Sequence, residues 1–292
     1  MSINDSRPAD ALRMALASHR PLIAPGCHDA FGARLVEEAG FAAAYMSGNA
    51  SSASRIGRPD IGLLTQTEMV ANAHGIARAV NIPVIADADT GYGDSAAIER
   101  TVEEFAAAGV AAIQIEDQLM PKRCGAMPGV AIAGFGEALE RITTAVRTRE
   151  RTDLLVIART DALATGDYDE AIRRARAFAD AGADLVIVED CRNADDVERI
   201  AHDLAGLPLM FDAFEAWPWS LRPASELGAL GYRLVIFPLS LTFAFGAAAR
   251  KVLQTLRTDG TTRAALGELM DRHEYEALLG LAVEAPVVPA SI

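Results

Sequence analysis

The chain has 292 residues, 51% of them hydrophobic and 23% charged, with a formal net charge of -13. Such a composition fills a sizeable core, and its acidity disfavours nucleic acid and anionic membrane surfaces as partners. No apolar run approaches the ~18 residues of a membrane span, no basic-then-apolar leader opens the chain, and Cys27, Cys124 and Cys191 show no metal-type pairing; a soluble, reduced, cytoplasmic protein is expected.

Short apolar runs recur, each followed by a helical pattern. In chain order they are PLIAPGC from Pro21, AAAYMSG from Ala42, PVIADAD from Pro83, AAIQIED from Ala111, LLVIART from Leu154, LVIVED from Leu185, LPLMFD from Leu207 and RLVIFPL from Arg233. These eight units predict a (β/α)8 TIM barrel, because closing the parallel sheet leaves no edge unpaired. The amphipathic segments SAAIERTVEEFAAAG and YDEAIRRARAFADAG end at Gly109 and Gly182, residues suited to left-handed helix ends. Residues 1–292 read as one barrel domain, with C-terminal helices over about 241–292, TFAFGAAARKVLQTL and RAALGELMDRHEYEALLGLAVE, whose apolar surface suits oligomer contact. The stretches Asn49 to Leu64 and Gln118 to Gly136 read as loops after strand ends, where barrel active sites and their lids sit.

The strand ends are acidic. Asp87 and Asp89 are expected to share one side of their strand, with Glu116 converging from the next. Three carboxylates at one barrel mouth call for a cation, and hard oxygen ligands suit Mg2+ or Mn2+. Asp117, Asp161 and Asp190 read better as helix N-caps or solvated loop charges. Arg159 either forks onto a substrate carboxylate or bridges to a neighbouring strand-end acid. Cys124, flanked by Lys122 and Arg123 in PKRCGAMPG, is expected to have a lowered pKa and to transfer protons. Cys27 and Cys191 read as inert.

Six segments in order, YMSG at Tyr45, RIGRPDIGLLT around Asp60, ADADTGYG at Ala86, IEDQ at Ile115, KRCG at Lys122 and ARTDA at Ala158, resemble motifs of the isocitrate lyase and phosphoenolpyruvate mutase superfamily. The resemblance spans about Ala24 to Arg272 and is closest to the branch containing 2-methylisocitrate lyase and 2,3-dimethylmalate lyase. It implies a barrel with its last helix swapped between subunits of a homotetramer. It also implies a metal-dependent carbon–carbon lyase acting on a small carboxylate, with Asp87 on Mg2+ directly and Asp89, Glu116 and Asp60 around its water shell. Ser47, Gly48 and Arg159 would hold the 2-hydroxy carboxylate end, with Asn49 and Gly125 beside them. Cys124 would be the general acid or base, Lys122 would raise its acidity, and Tyr45 is a candidate for the hydroxyl proton. Glu189 and Arg272 match substrate-binding positions.

Departures from the pattern bear on the substrate. The cysteine motif continues with Ala126 where family lyases have histidine, Asp212 and Phe214 stand in place of asparagine and threonine, and Phe243 replaces an arginine of tricarboxylate-cleaving members. Taking Asp212 as a negative charge, these changes imply a substituted malate-type 2-hydroxy dicarboxylate. The alternatives are 2-methylisocitrate lyase, a phosphonate mutase or hydrolase, an oxaloacetate decarboxylase, or a catalytically silent barrel. The exact acid, its stereochemistry and the physiological direction are not legible in the residues.

Overall fold

A computed structural model describes residues 7–281. Two compact units divide the chain, Met1–Thr242 and Phe243–Ile292. In the first, eight parallel strands close in sequence order into a barrel: β1 (Leu22–Cys27), β2 (Ala44–Met46), β3 (Val84–Asp87), β4 (Ala112–Glu116), β5 (Leu155–Thr160), β6 (Leu185–Val188), β7 (Leu209–Asp212) and β8 (Tyr232–Phe237). All eight predicted runs are strands. Helix α1 (Pro8–Leu16) precedes the barrel, and α2 (Ala30–Glu38), α3 (Gly48–Ile56), α4 (Gln66–Ala79), α5 (Ser95–Ala108), α6 (Phe135–Arg149), α7 (Tyr168–Asp180), α8 (Ala194–Asp203) and α9 (Ala224–Leu230) fall between strands.

Period-two alternation divides the core. Along β5, Leu155 and Ile157 enter the barrel interior, joined there by Ile85, Ile187, Met210 and Leu12 of α1, while Val156 and Ala158 pack outward under the helices. Continuing the inward set by two residues at each strand's C-terminal end reaches Tyr45, Asp87, Glu116, Arg159, Glu189 and Asp212. The same alternation that fills the core therefore delivers six polar side chains to one mouth of the barrel.

Helix ends follow local chemistry. Asp94 caps α5, its carboxylate accepting Ala97 N at 3.1 Å, and Gly109 ends that helix at φ 92°. Gly182 has φ 98° two residues beyond the end of α7. The expected loop from Asn49 is instead α3 as far as Ile56: Ser47 caps it by accepting Ala50 N at 3.3 Å, and Gly57 closes it at φ 61°. Ser51 and Ser52, within the stretch expected to be a loop, are buried in this helix.

Helix α10 (Ser240–Asp259) begins at the end of the first unit. In the second unit, the predicted continuous helix from Arg263 is broken: a 3-10 turn covers Arg263–Glu268, and α11 (Arg272–Leu278) starts anew. Asp271 interrupts it, forming a capping box with Glu274 that begins a fresh helix. Residues 282–284 of that prediction lie outside the described residues. Among the described residues no helix is long and apolar enough to cross a membrane.

Candidate active site

The mouth of the barrel encloses a cavity of about 40 Å³ lined by Tyr45, Ser47, Asn49, Asp60, Asp87 and Glu116, by Lys122 to Ala126, and by Arg159, Glu189, Asp212, Phe214, Pro238 and Leu239. That is room for a few waters, so a dicarboxylate enters only if a wall moves. Residues 118–134, which precede α6 and carry Cys124, form the longest irregular segment of that wall.

On the β3 side, Gly48 packs so closely that a Cβ there would stand 2.5 Å from Asp87 Oδ2, and its N–H donates to that oxygen at 3.3 Å. Glycine is needed at this contact. Asp87 Oδ1 also accepts Asp89 N at 3.0 Å. Asp89 does not share Asp87's orientation as alternation implied: β3 has ended, and Asp89 takes a left-handed φ of 48°. Its carboxylate meets Lys122 Nζ at 2.6 Å, and Lys122 also holds Asp60 at 2.7 Å.

Lys122 is therefore a buried clamp between Asp60 and Asp89, not a cation turned on Cys124. Burial alone would lower its pKa, but Asp89, Glu116 and Asp60 more than offset this and hold the ammonium well above its usual range. Burial, only partly countered by Lys122, pushes Asp89 up to about 6. The expectation of an acidic Cys124 is overturned for the same reason. Desolvation raises the thiol to about 11, with minor help from Asp60, against hydrogen bonds from Ala126 N and from Asn49 Nδ2, 3.3 Å from the sulfur. Cys124 rests as a protonated thiol. Tyr45 likewise keeps its proton, because burial and then Asp87 raise it well above the ordinary phenol; it is prepared to donate a hydrogen bond and not to act as a base.

Arg159 resolves in favour of a neighbouring acid. Its Nε and Nη2 fork onto Asp161 at 2.9 and 2.7 Å, Nε lies 3.5 Å from Glu116, and Nη1 lies 3.8 Å from Glu189. Only Nη1 is left for a ligand. Asp161 is in turn fixed by Gln118 Nε2 at 3.1 Å, while its own N–H donates to Asp117 at 2.9 Å, and Asp117 pairs with Arg174. Gln118 also clamps the start of the cysteine segment, giving a hydrogen bond to Arg123 O and taking one from Arg123 N. Gly125 rests on this assembly, with Arg159 Nη2 and Glu189 Cγ each 2.8 Å from where its Cβ would be.

Asp117 and Asp161 are neither the helix caps nor the solvated charges that the sequence suggested: both are buried and paired, and they position Arg159, a role not read from sequence. The signal was present in the two-residue spacing of Arg159 and Asp161. The cavity walls Arg123, Pro238 and Leu239 also went unread. Asp190 pairs with Arg192. Phe243 and Arg272 belong to the second unit, where Arg272 Nε pairs with Glu276 at 2.7 Å.

A family model described as phosphoenolpyruvate phosphomutase matches residues 12–257. The chain belongs to that family. It is 41% identical to 2,3-dimethylmalate lyase of Eubacterium barkeri over 94% of both chains. It is 36% identical to 2-methylisocitrate lyase of Aeropyrum pernix over 94% of this chain and 88% of the relative. Among solved structures, oxaloacetate acetylhydrolase bound to 3,3-difluorooxalacetate superposes with a TM-score of 0.89 at 35% identity, covering 94% of this chain and 93% of that one. Phosphonopyruvate hydrolase with oxalate and Mg++ gives 0.84 at 32%, covering 94% and 95%. These similarities make the chain an enzyme of the family's carbon–carbon lyase group.

A divalent cation fits the β3 and β4 side of the cavity in one manner. Among the described residues no three His, Cys, Asp or Glu side chains are gathered to hold an ion directly. Asp87 lines the cavity, and Glu116 Oε1 is buried there without a hydrogen-bond partner. One direct carboxylate and further oxygens acting through water suit Mg2+, which dehydrates reluctantly.

Proposed function

We propose that the chain is a Mg2+-dependent lyase that cleaves the C2–C3 bond of a malate-type 2-hydroxy dicarboxylate bearing apolar substituents, releasing a 2-oxo acid and a carboxylic acid. The observation that carries this reading is the protonated thiol of Cys124, presented to the cavity by Asn49 and facing Arg159 and Glu189. Cleavage leaves a carboxylate-stabilised enolate at C3, which needs a proton donor and not a base. A thiol near 11 holds a proton at neutral pH and gives it readily to a carbon so basic.

Asp87, with Glu116 through water, would hold the cation, which would lower the pKa of the C2 hydroxyl so that its proton leaves to water, and would stabilise the negative charge on that oxygen; the thiolate left on Cys124 regains its proton from solvent. Its support is the donor set above and the Mg++ of the phosphonopyruvate hydrolase structure. Ser47, Gly48 and the free Nη1 of Arg159 bind the 2-hydroxy carboxylate, and Tyr45 donates a hydrogen bond. Phe214 supplies an apolar wall, backed edge-on by Trp217 at 5.0 Å, which itself stacks on Trp219 at 5.4 Å. Arg159 is largely spent and Lys122 fully so, which disfavours a third substrate carboxylate.

Exposed Phe245, Leu253, Leu256 and Leu266 of the second unit support assembly with further copies, and three free cysteines suit the cytoplasm. The test of function is incubation with 2,3-dimethylmalate and Mg2+, detecting pyruvate together with the released acid. Turnover of phosphonopyruvate or oxaloacetate with no cleavage of any alkylmalate would assign the chain elsewhere in its family.

A further inference from the structure

Two carboxyls of the cavity take no part in the proton transfer above. Glu189 follows β6 and Asp212 ends β7, and both line the cavity. Glu189 Oε2 and Asp212 Oδ1 are buried, and neither receives a hydrogen bond. They occupy matching positions on neighbouring strands, three residues beyond the paired Val186 and Leu209, and both enter the same cavity.

Charges surround them unequally. From β5, Arg159 reaches Glu189 at 3.8 Å, but its other two nitrogens are committed to Asp161. Asp161 and Asp190 face Glu189 with further negative charge. Glu215 faces Asp212, its carboxylate already accepting from Leu239 N and Ser240 Oγ. Tyr45 borders the pair from β2 as a neutral phenol. Two adjacent buried carboxylates that share less than one arginine do not both ionise. A single proton removes the conflict, since a neutral acid supplies an O–H donor and its ionised neighbour is the acceptor. Arg159 favours the charge on Glu189, which leaves the proton on Asp212.

We propose that the Glu189–Asp212 pair holds one proton, with Asp212 as the neutral acid, and that this proton allows the cavity to accept a dianionic substrate. With it, the wall facing the substrate's second carboxylate carries one negative charge fewer; without it, Glu189 and Asp212 both repel that carboxylate. Burial and the neighbouring Glu189 push Asp212 well above the usual carboxylate range, in keeping with this assignment. The inference rests on the lyase reading only for the identity of the dianion. It also replaces the expectation that Asp212 acts as a negative charge.

Difference infrared spectroscopy of the full chain at neutral pH, wild type minus Asp212→Asn, reads the proton with no substrate present. One carbonyl band of an un-ionised carboxyl is expected to disappear in the variant and to shift in wild type on 13C-aspartate labelling. Calorimetric Kd values on the Mg2+-loaded protein give the functional arm. Affinity for malate should fall by up to about tenfold per pH unit once the pair titrates, affinity for the monoanion lactate should fall less, and Asp212→Asn should hold malate affinity flat. A wild type with no such band, or an equal pH dependence of malate affinity in both proteins, overturns the proposal. The band and the malate response without cleavage of any alkylmalate would sustain it while refuting the lyase reading.

Discussion

On the β3 and β4 side of the barrel mouth, Lys122 stands 2.7 Å from Asp60 and 2.6 Å from Asp89, so two buried carboxylates share a dedicated cation. On the β6 and β7 side, Glu189 and Asp212 have only the unspent nitrogen of Arg159, 3.8 Å from Glu189. The first arrangement is an ion-pair clamp that keeps the segment before Cys124 in place at neutral pH, above the value of about 6 at which Asp89 takes up a proton. The second balances its charge with a proton, so its state depends on the medium and on what binds. A rigid flank beside Asp87 and a titratable flank at the far end suit an enzyme that fixes one end of its substrate and discriminates at the other.

The largest effect expected on the rigid flank is loss of the cation. Chelation, or Asp87→Ala at ordinary Mg2+, should lower turnover by at least ~10³-fold, since metal stabilisation of an oxyanion supplies several kcal/mol; steady-state assays with and without chelator check this. Full activity in excess chelator would remove the metal from the account. Next in size is Cys124→Ser, expected to reduce kcat by about 10²- to 10⁴-fold while leaving calorimetric Mg2+ binding unchanged. A near-wild-type kcat would favour chemistry that needs no thiol.

The two flanks should then respond oppositely to substitution of one member. Lys122→Met strands Asp60 and Asp89 in the interior and should cost roughly 3–5 kcal/mol of stability by denaturant unfolding. Asp212→Asn should stabilise slightly, by no more than about 1 kcal/mol. The sign follows from linkage: Asp212 has a raised pKa when folded, so the folded protein binds a proton that the unfolded chain has released. Wild-type stability therefore falls as pH rises above the ordinary carboxylate range, and the variant's gain should vanish in acid below that range. A gain that persists at low pH would mean that Asp212 is not held neutral.

Much of this was legible in the chain. Eight apolar runs, each followed by a helical pattern, pointed to the barrel, and following the inward alternation to the C-terminal ends of the strands reaches Asp87, Glu116, Arg159, Glu189 and Asp212. What failed was inference from adjacency in sequence. Lys122 and Arg123 flank Cys124, yet Lys122 turns to carboxylates from two other segments, and burial sets the thiol. Asp89 lies two residues from Asp87, yet its positive φ turns it away from the strand's alternation. Asp161 was passed over as a helix cap or solvated charge, though it is buried and aims Arg159. The first two depend on which distant group a side chain meets, and that is decided by packing and not by neighbours along the chain.

The comparison of flanks makes its sharpest claim about the substrate. A site with the partly free Arg159, a carboxyl pair that carries one negative charge instead of two, and the Phe214 wall accepts two carboxylates and an alkyl group, and leaves a third carboxylate only Arg123, exposed on the cavity wall, as a partner. Steady-state kcat/KM for 2,3-dimethylmalate and for 2-methylisocitrate, measured on one Mg2+-loaded preparation, tests this directly. The account predicts that the dimethylmalate value exceeds the other by a large factor, up to ~10⁴ where a buried charge goes unpaired. A higher kcat/KM for 2-methylisocitrate would contradict it.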